Sequence, residues 1–210
     1  MAARGKFITV EGGEGVGKTT NIEYLAGLIE ARGYKVCRTR EPGGTPLAER
    51  IRGLLLEHGD EPLPDIAELL LFFASRALNI DNTIRPALAA GEWVLCDRFT
   101  DASRAYQGAG RGLDAQRIDT LAEWVQEGLT PDLTLLLDAP AEVGMGRAGR
   151  RGTADRMEVE QASFYSRVRD GYLQLAAAEP QRFAVVDASQ ELAAVEADIA
   201  RAMQRLFSEK

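Results

Sequence analysis

Histidine and cysteine are scarce in this chain of 210 residues, which contains one histidine, His58, and two cysteines, Cys37 and Cys96. Zinc sites and histidine-based catalytic triads are therefore poorly supplied. Each cysteine stands inside an apolar, strand-like run, and the sequence shows no secretory signal. Buried reduced thiols are thus favoured over a disulfide.

An excess of basic residues is also lacking, and so are long apolar runs. The formal net charge is −7, which argues against a general nucleic-acid or membrane binder, since such proteins usually carry a basic surface. No apolar run approaches the ~20 residues of a membrane span, and the segment MAARGKF lacks the apolar region of a signal peptide. We expect a cytoplasmic protein with no nucleic acid or membrane partner, and one domain over residues 1–210.

The most informative stretch is KFITVEGGEGVGKTT, from Lys6 to Thr20. Its apolar start suits a buried strand, and Gly12 to Thr19 matches G-x-x-x-x-G-K-[ST], the phosphate-binding loop that follows a strand and opens a helix. Glycines let the backbone N–H groups approach phosphate oxygens, Lys18 adds a positive charge, and the Thr19 hydroxyl suits a magnesium ion. The alternative is a glycine-rich turn without a ligand. The predicted residues of the nucleotide donor site are Gly12, Gly13, Glu14, Gly15, Val16, Gly17, Lys18, Thr19 and Thr20.

Strand-like and helix-like segments alternate along the whole chain. The strand-like segments end in polar groups, at Glu11, Arg40, Asp97, Asp138 and Asp187. This alternation predicts an α/β fold of the P-loop NTPase type, with a doubly wound, five-stranded parallel sheet flanked by helices. Ligands of such sheets bind outside the carboxyl ends of the strands.

The spacing of apolar residues predicts several helices around this sheet. Residues 47–57 form a helix with its leucines and isoleucine inward, namely Leu47, Ile51, Leu54 and Leu55. In a helix over residues 64–79, one stripe holds Ile66, Leu69, Leu70 and Phe73, while Phe72 and Arg76 lie four apart on a neighbouring face. A helix over 101–107 is followed by a flexible break at 108–112.

Residues 147–156, RAGRRGTADR, are basic and punctuated by glycines. We expect a small flexible lid that closes over the phosphates and excludes water. In phosphoryl transfer an arginine on the transferring group is worth roughly 10³–10⁵ in rate. The alternative is a solvated, mobile basic loop.

A phosphate-binding loop alone does not separate switch proteins from kinases. The Asn-Lys-x-Asp sequence typical of guanine-specific switches is absent, and so is Asp-x-x-Gly. Arg40, Arg76 and Arg98 are candidates for binding a second phosphate. If the acceptor is a nucleoside monophosphate, its phosphate has a second pKa of about 6 and needs no general base, in keeping with the scarcity of histidine.

Together these motifs resemble those of bacterial thymidylate kinases. The resemblance rests on VEGGEGVGKTT at 10–20, TREPGGT at 39–45, LFFASR at 71–76, the Asp97-Arg98 pair followed by Ser103, Tyr106 and Gln107, and the lid ending in Asp155-Arg156. It implies transfer of the γ-phosphoryl group of ATP to dTMP, giving dTDP and ADP for dTTP synthesis. It also implies a magnesium ion and a homodimer.

The resemblance also assigns roles around dTMP. Phe72 would stack on thymine, Arg76 would bond its carbonyl edge, and Ser103 would bond the base, with Gln107 one turn on. Tyr106 would pack under the sugar. The phosphate and sugar contacts would come from Arg40, Arg98 and Glu14, and the metal contacts from Thr19 and Asp97. Without the resemblance, Phe72 reads as a core residue, while packing remains an alternative for Tyr106 and a structural cap an alternative for Asp97.

Thymidylate kinases place the key arginine either in the phosphate-binding loop or in the lid. Residues 13–16 of this chain carry no cation, so the resemblance is to the lid type. Arg151 is the first candidate, followed by Arg147 and Arg150. The predicted catalytic residues are Lys18, Arg98, Arg147, Arg150 and Arg151. The alternative functions are a deoxynucleoside kinase, which would need a carboxylate base beside the 5′-hydroxyl, and a nucleotide-dependent switch without small-molecule turnover.

Overall fold

The computed structural model describes residues 4–57, 61–148 and 161–208. Within these residues, five parallel strands form one sheet in the order β2-β3-β1-β4-β5. The strands are β1 (Phe7–Glu11), β2 (Val36–Arg40), β3 (Trp93–Asp97), β4 (Leu133–Asp138) and β5 (Phe183–Asp187). This sheet confirms the predicted fold class.

Helices cover both faces of the sheet. They are α1 (Lys18–Glu30), α2 (Pro46–Leu56), α3 (Asp65–Asn79), α4 (Arg85–Ala89), α5 (Thr100–Ser103), α6 (Ala115–Gln126), α7 (Ala141–Ala148), α8 (Ala162–Ala178) and α9 (Leu192–Ser208). A π-helical turn, Ile80–Ile84, joins α3 to α4, and a second π-helical segment, Arg104–Gly110, continues α5. None of the helices in the described ranges is long and apolar enough to cross a membrane.

The position of β1 in the middle of the sheet explains where the site forms. All five of its residues are buried, as expected for a central strand covered on both faces. Val10 of β1 lies opposite Asp97 of β3, and Asp97 lies opposite Arg40 of β2. The carboxyl ends of these three strands therefore meet at one edge, where the loop to α1 begins.

Two apolar layers hold the helices on the sheet. On one face, α1 and α9 pack Leu25, Ile29, Ile199 and Met203 against the strands. On the other face, α8 packs Phe164, Val168 and Tyr172 against Ala105 and Tyr106 of the second π-helical segment. Cys37 and Cys96 are free thiols, as predicted.

Two predictions about packing are wrong. Leu47 and Leu54 of α2 and Ile66 and Leu70 of α3 are 43–65% exposed, because these helices form an outer layer with only one side against the protein. Of the residues predicted to face inward, Leu55, Leu69 and Phe73 are buried.

The segment predicted as a flexible break is mostly ordered helix. Residues 108–110 belong to the π-helical segment, and its glycines serve close packing. A Cβ on Gly110 would lie 2.6 Å from Cε2 of Phe164 in α8. Gly112, which follows, turns the chain with φ +80° and has open space around it.

Candidate active site

The loop over residues 12–17 connects the buried end of β1 to α1. Gly12, Gly15 and Gly17 have φ values of 137°, 69° and 87°, in a region that residues with a side chain rarely adopt. A Cβ on Gly12 would also lie 2.4 Å from the carbonyl oxygen of Leu137. The loop thus needs glycine both for its conformation and for its approach to β4.

Lys18 is the first residue of α1 and reaches back over the loop. Its Nζ donates to the carbonyl oxygen of Gly13 at 2.8 Å. Burial lowers the pKa of Lys18, and nearby Arg98 lowers it further, while Glu14 and Asp97 oppose that shift. A phosphate next to the Nζ would favour the charged form, so this lysine fits an anionic ligand.

An open cleft of about 300 Å³ extends from this loop toward α3 and the second π-helical segment. It brings together most of the predicted site residues that the structure describes. Its lining includes Glu14, Gly15, Gly17, Lys18, Thr19, Arg40, Phe72, Arg76, Asp97, Arg98, Ser103, Tyr106 and Gln107. Phe72 is half-buried at the wall of the cleft rather than in the core.

Four of the predicted donor-site residues do not line this cleft. Gly12, Gly13 and Val16 lie on the opposite side of the loop, beside β4 and α7, and the Val16 side chain is in the core. Their backbone shapes the loop. Thr20 is exposed on α1.

Arg98 connects the loop to the other wall of the cleft. Its backbone has φ +66°, a strained value for a non-glycine residue. Its guanidinium donates to the Gly12 carbonyl oxygen at 2.8 Å and to the Tyr106 hydroxyl at 2.9 Å, and it is ion-paired with Glu14. The Tyr106 hydroxyl donates to Glu14 at 3.1 Å.

Arg76 lies at the far end of the cleft and is 1% exposed. Its Nε donates to Glu41 at 2.7 Å, and its Nη2 donates to Ser103 Oγ at 3.0 Å. Its Nη1 is buried and has no hydrogen-bond partner among the described residues. Because burying an unpaired donor is costly, a ligand acceptor that bonded this Nη1 would remove that cost.

Two buried glutamates, Glu41 in the lining of the cleft and Glu68 behind it, make contacts that the sequence reasoning missed. Glu41 pairs with Arg76, and although burial raises the pKa of Glu41, this arginine opposes the shift. Glu68 accepts a hydrogen bond from Gln107 Nε2 at 2.9 Å. The signal for Glu41 was its place directly after a strand end, but Glu68 has partners 39 and 43 residues away, and no local pattern marks it.

Arg40 lies at the mouth of the cleft and is half exposed. Its Nη2 donates to Glu49 at 2.8 Å. Arg52, which the sequence reasoning did not single out, also lines the cleft and donates to the Pro42 carbonyl oxygen at 3.0 Å.

Asp97 and Thr19 are the residues predicted to serve a magnesium ion. Oδ1 of Asp97 is buried without a hydrogen-bond partner in the described ranges, and Thr19 lies in the first turn of α1. Those same ranges contain no cluster of three or more His, Cys, Asp or Glu suited to a metal. Magnesium is usually bound through one or two carboxylates together with substrate phosphates, so these two residues fit it.

The lid prediction falls largely outside the described residues. Arg150 and Arg151 lie there, as does Arg156. Arg147, at the end of α7, is described, and its Nη1 donates to the Ala188 carbonyl oxygen at 2.9 Å, just beyond β5.

Comparisons with known proteins point to one family. The family model described as "Thymidylate kinase" matches residues 10–199. The chain is similar to the thymidylate kinase of Chromohalobacter salexigens, with 59% identity over 198 residues, which cover 93% of each protein. It is 54% identical over 204 residues to the thymidylate kinase of Methylococcus capsulatus, and these cover 97% of each protein.

A solved structure agrees with these relatives. A crystal structure of thymidylate kinase from Ehrlichia chaffeensis superposes with a TM-score of 0.75 at 35% identity, covering 96% of this chain and 99% of that chain.

Proposed function

The chain belongs to the thymidylate kinase family, whose reaction is the ATP-dependent phosphorylation of dTMP, and we propose how its residues divide that work. The donor, ATP, occupies the loop over residues 12–17, and dTMP occupies the cleft that leads from the loop to Arg76. The alternatives of a deoxynucleoside kinase and a switch without turnover are set aside by the family match.

The unpartnered Nη1 of Arg76 is the observation that carries the placement of the base. Thymine offers a carbonyl oxygen, O4, to such a donor. Phe72 stacks on the ring from the cleft wall, and Ser103 and Gln107 line the same end. Tyr106 lies beside the sugar, where its hydroxyl and Glu14 disfavour a 2′-hydroxyl.

The acceptor phosphate lies between the base and the loop. Arg98 and Arg40 line this part of the cleft and bind the phosphate. Since that phosphate is largely a dianion near neutral pH, with a second pKa of about 6, it attacks without a general base. Catalysis is then positioning and neutralisation of charge, and Lys18 supplies part of the charge on the donor side.

Asp97 and Thr19 hold the magnesium ion. When bound, Mg²⁺ neutralises charge on the phosphates of ATP. The unpartnered Oδ1 of Asp97 supports this role, because an ion or its bound water would satisfy that oxygen.

The positively charged side chain that contacts the phosphoryl group during transfer comes from the lid. Residues 13–16 carry no cation, and Arg147 is engaged by the Ala188 carbonyl oxygen. We therefore assign the transition-state contact first to Arg151, with Arg150 and Arg147 as the alternatives.

The enzyme acts as a homodimer in the cytoplasm, where ATP and dTMP are found. The dimer proposal is supported by the exposed apolar side chains of α2 and α3, two helices that pack on each other, because large exposed apolar patches mark interfaces.

A substrate panel tests the proposal. With ATP and magnesium, ADP formation with dTMP should exceed that with dUMP, dCMP, AMP or thymidine. Equal turnover of thymidine would instead indicate a deoxynucleoside kinase.

In the same assay, Arg151→Ala should lower kcat by roughly 10³-fold or more with little change in dTMP binding. An unchanged kcat would move the catalytic role to Arg147 or Arg150.

A further inference from the structure

The glutamate behind the base end of the cleft, Glu68, is completely buried on α3. Its Oε1 accepts from Gln107 Nε2 at 2.9 Å and from Arg111 Nε at 2.8 Å, and its Oε2 accepts from Arg111 Nη2 at 3.1 Å. Neither Glu68 nor Arg111 lines the cleft. Gln107, which does line the cleft, connects Glu68 to the base site.

The carboxylate of Glu68 determines the orientation of the Gln107 amide, and therefore which of its two polar atoms faces the cleft. A carboxylate paired with arginine only accepts hydrogen bonds, so it must face the NH₂ group of the amide. The other end, Oε1, is directed away from Glu68, and Gln107 itself is 1% exposed and lines the cleft. Without Glu68 the amide could turn by 180°, since its last torsion is roughly two-fold.

The base end of the cleft then offers one donor and one acceptor, Nη1 of Arg76 and Oε1 of Gln107. Thymine presents the complementary pair, an O4 acceptor and an N3–H donor. Cytosine presents the reverse, an amino group at position 4 and an unprotonated N3. The fixed amide therefore rejects cytosine at N3 independently of what Arg76 does at position 4.

We propose that Glu68, held by Arg111, is a positioning residue that sets base selectivity by fixing the orientation of the Gln107 amide. The inference rests on the proposed function, because it requires the base of dTMP to lie beside Arg76 and Gln107. Arg111 has two effects. It supplies the charge that keeps the buried carboxylate an acceptor, and its bidentate contact fixes the side chain of Glu68.

The test replaces the ion pair by apolar side chains of similar length, in the variant E68M/R111M. Such a replacement often preserves stability, whereas removing one partner alone leaves a buried charge. The ratio of kcat/KM for dTMP to that for dCMP should fall about tenfold, the equivalent of one mispaired hydrogen bond. The ratio for dTMP to dUMP should not change, because uracil and thymine present the same O4 and N3–H groups.

Two further variants separate positioning from a loss of structure. Asp65→Asn removes a half-exposed carboxylate on α3, the helix that also carries Glu68, and that carboxylate lies 3.7 Å from Nε of Arg111. This variant should leave both ratios unchanged. In a Gln107→Met background, the E68M/R111M change should have no further effect on the dTMP to dCMP ratio, because the two act through one side chain. A substantial further loss there would overturn the inference.

A second substitution covers the case in which the double variant does not fold. Glu68→Gln keeps the shape but leaves one acceptor for three donors, so the dTMP to dCMP ratio should fall at least threefold. A folded variant with wild-type selectivity would contradict our assignment alone, while a wild-type protein that fails to phosphorylate dTMP would contradict the proposed function.

Discussion

At the scale of single residues, the fold changes the ionisation of Glu11. It is fully buried at the end of β1, where it accepts from the Phe99 backbone N–H at 2.7 Å and from the Tyr172 hydroxyl at 2.8 Å. Burial raises the pKa of Glu11 from 4.5 to about 8, and the nearby carboxylate of Asp101 adds to the shift. Arg98 opposes it. Near neutral pH the folded protein therefore retains a proton that the unfolded chain has released.

That difference predicts a pH dependence of stability. The folded state binds the Glu11 proton more tightly than the unfolded chain does, so this proton adds to the free energy of unfolding. The added stability is greatest below pH 4.5 and declines as the pH rises to about 8. Glu11→Gln removes this titration. Denaturant unfolding of Glu11→Gln and wild type should show the variant gaining relative stability from pH 5 to 9, by a few kcal/mol in order of magnitude. Glu30→Gln, on the exposed side of α1, is the control. A constant difference across this range would contradict the raised pKa.

At the scale of elements, the contact between α8 and the π-helical segment Arg104–Gly110 positions one wall of the cleft. The segment carries Tyr106 and Gln107, and α8 approaches it at Gly171, where an added Cβ would lie 2.6 Å from the Cβ of Ala109. The close approach therefore depends on glycines from both partners, Gly110 and Gly171.

Gly171→Ala should accordingly disturb both stability and binding. Overpacking of this kind costs about 1–3 kcal/mol, and a shift of the π-helical segment would raise KM for dTMP. Gly27→Ala, in the interior of α1 with no atom within 4 Å of the added Cβ, should instead stabilise by about 0.5–1 kcal/mol. Unfolding curves and dTMP kinetics of the two variants check this. A Gly171→Ala protein as stable and active as wild type would show that the helices separate without penalty.

The sequence predicts those features that depend on residues close together in the chain, and it misses those that depend on contacts between distant segments. The buried strands, the loop over residues 12–17 and the Asp97-Arg98 strand end follow from patterns a few residues long, and the resemblance added Phe72 and Arg76. The π-helical geometry after Ser103 was missed, because it depends on packing against α8. The pairing of Glu68 with Gln107 and Arg111 was missed because the partners are distant in sequence.

At the scale of the whole molecule, α2 and α3 carry four of the eight large apolar side chains that are exposed in the described residues. Leu47 and Leu54 of α2 and Ile66 and Leu70 of α3 are each at least 43% exposed, and α2 packs directly on α3. The prediction that these side chains are buried within one chain was wrong. Their apolar character is explained if a second copy of the chain covers them. Since α3 also carries Phe72 and Arg76, an interface here would include the helix that we propose to bind the base.

Polar substitution on this surface should therefore change the oligomeric state. Leu54→Gln combined with Leu70→Gln should shift the mass measured by sedimentation toward that of the monomer, because each change removes apolar area from the interface. Leu192→Gln, at a site on α9 that is similarly exposed (49%), should not. Persistence of the dimer in the double variant, or a monomeric wild type, would argue against the proposed interface.

The position of Arg98 has a thermodynamic consequence for the two substrates. One guanidinium bonds the loop where we propose that ATP binds, at the Gly12 carbonyl oxygen, and the wall where we propose that dTMP binds, at the Tyr106 hydroxyl. A shift of either part is therefore transmitted to the other through Arg98. The coupling free energy between the two ligands is reciprocal. If bound ATP raises the affinity for dTMP by some factor, bound dTMP raises the affinity for ATP by the same factor. The stability of the ternary complex does not depend on which substrate binds first.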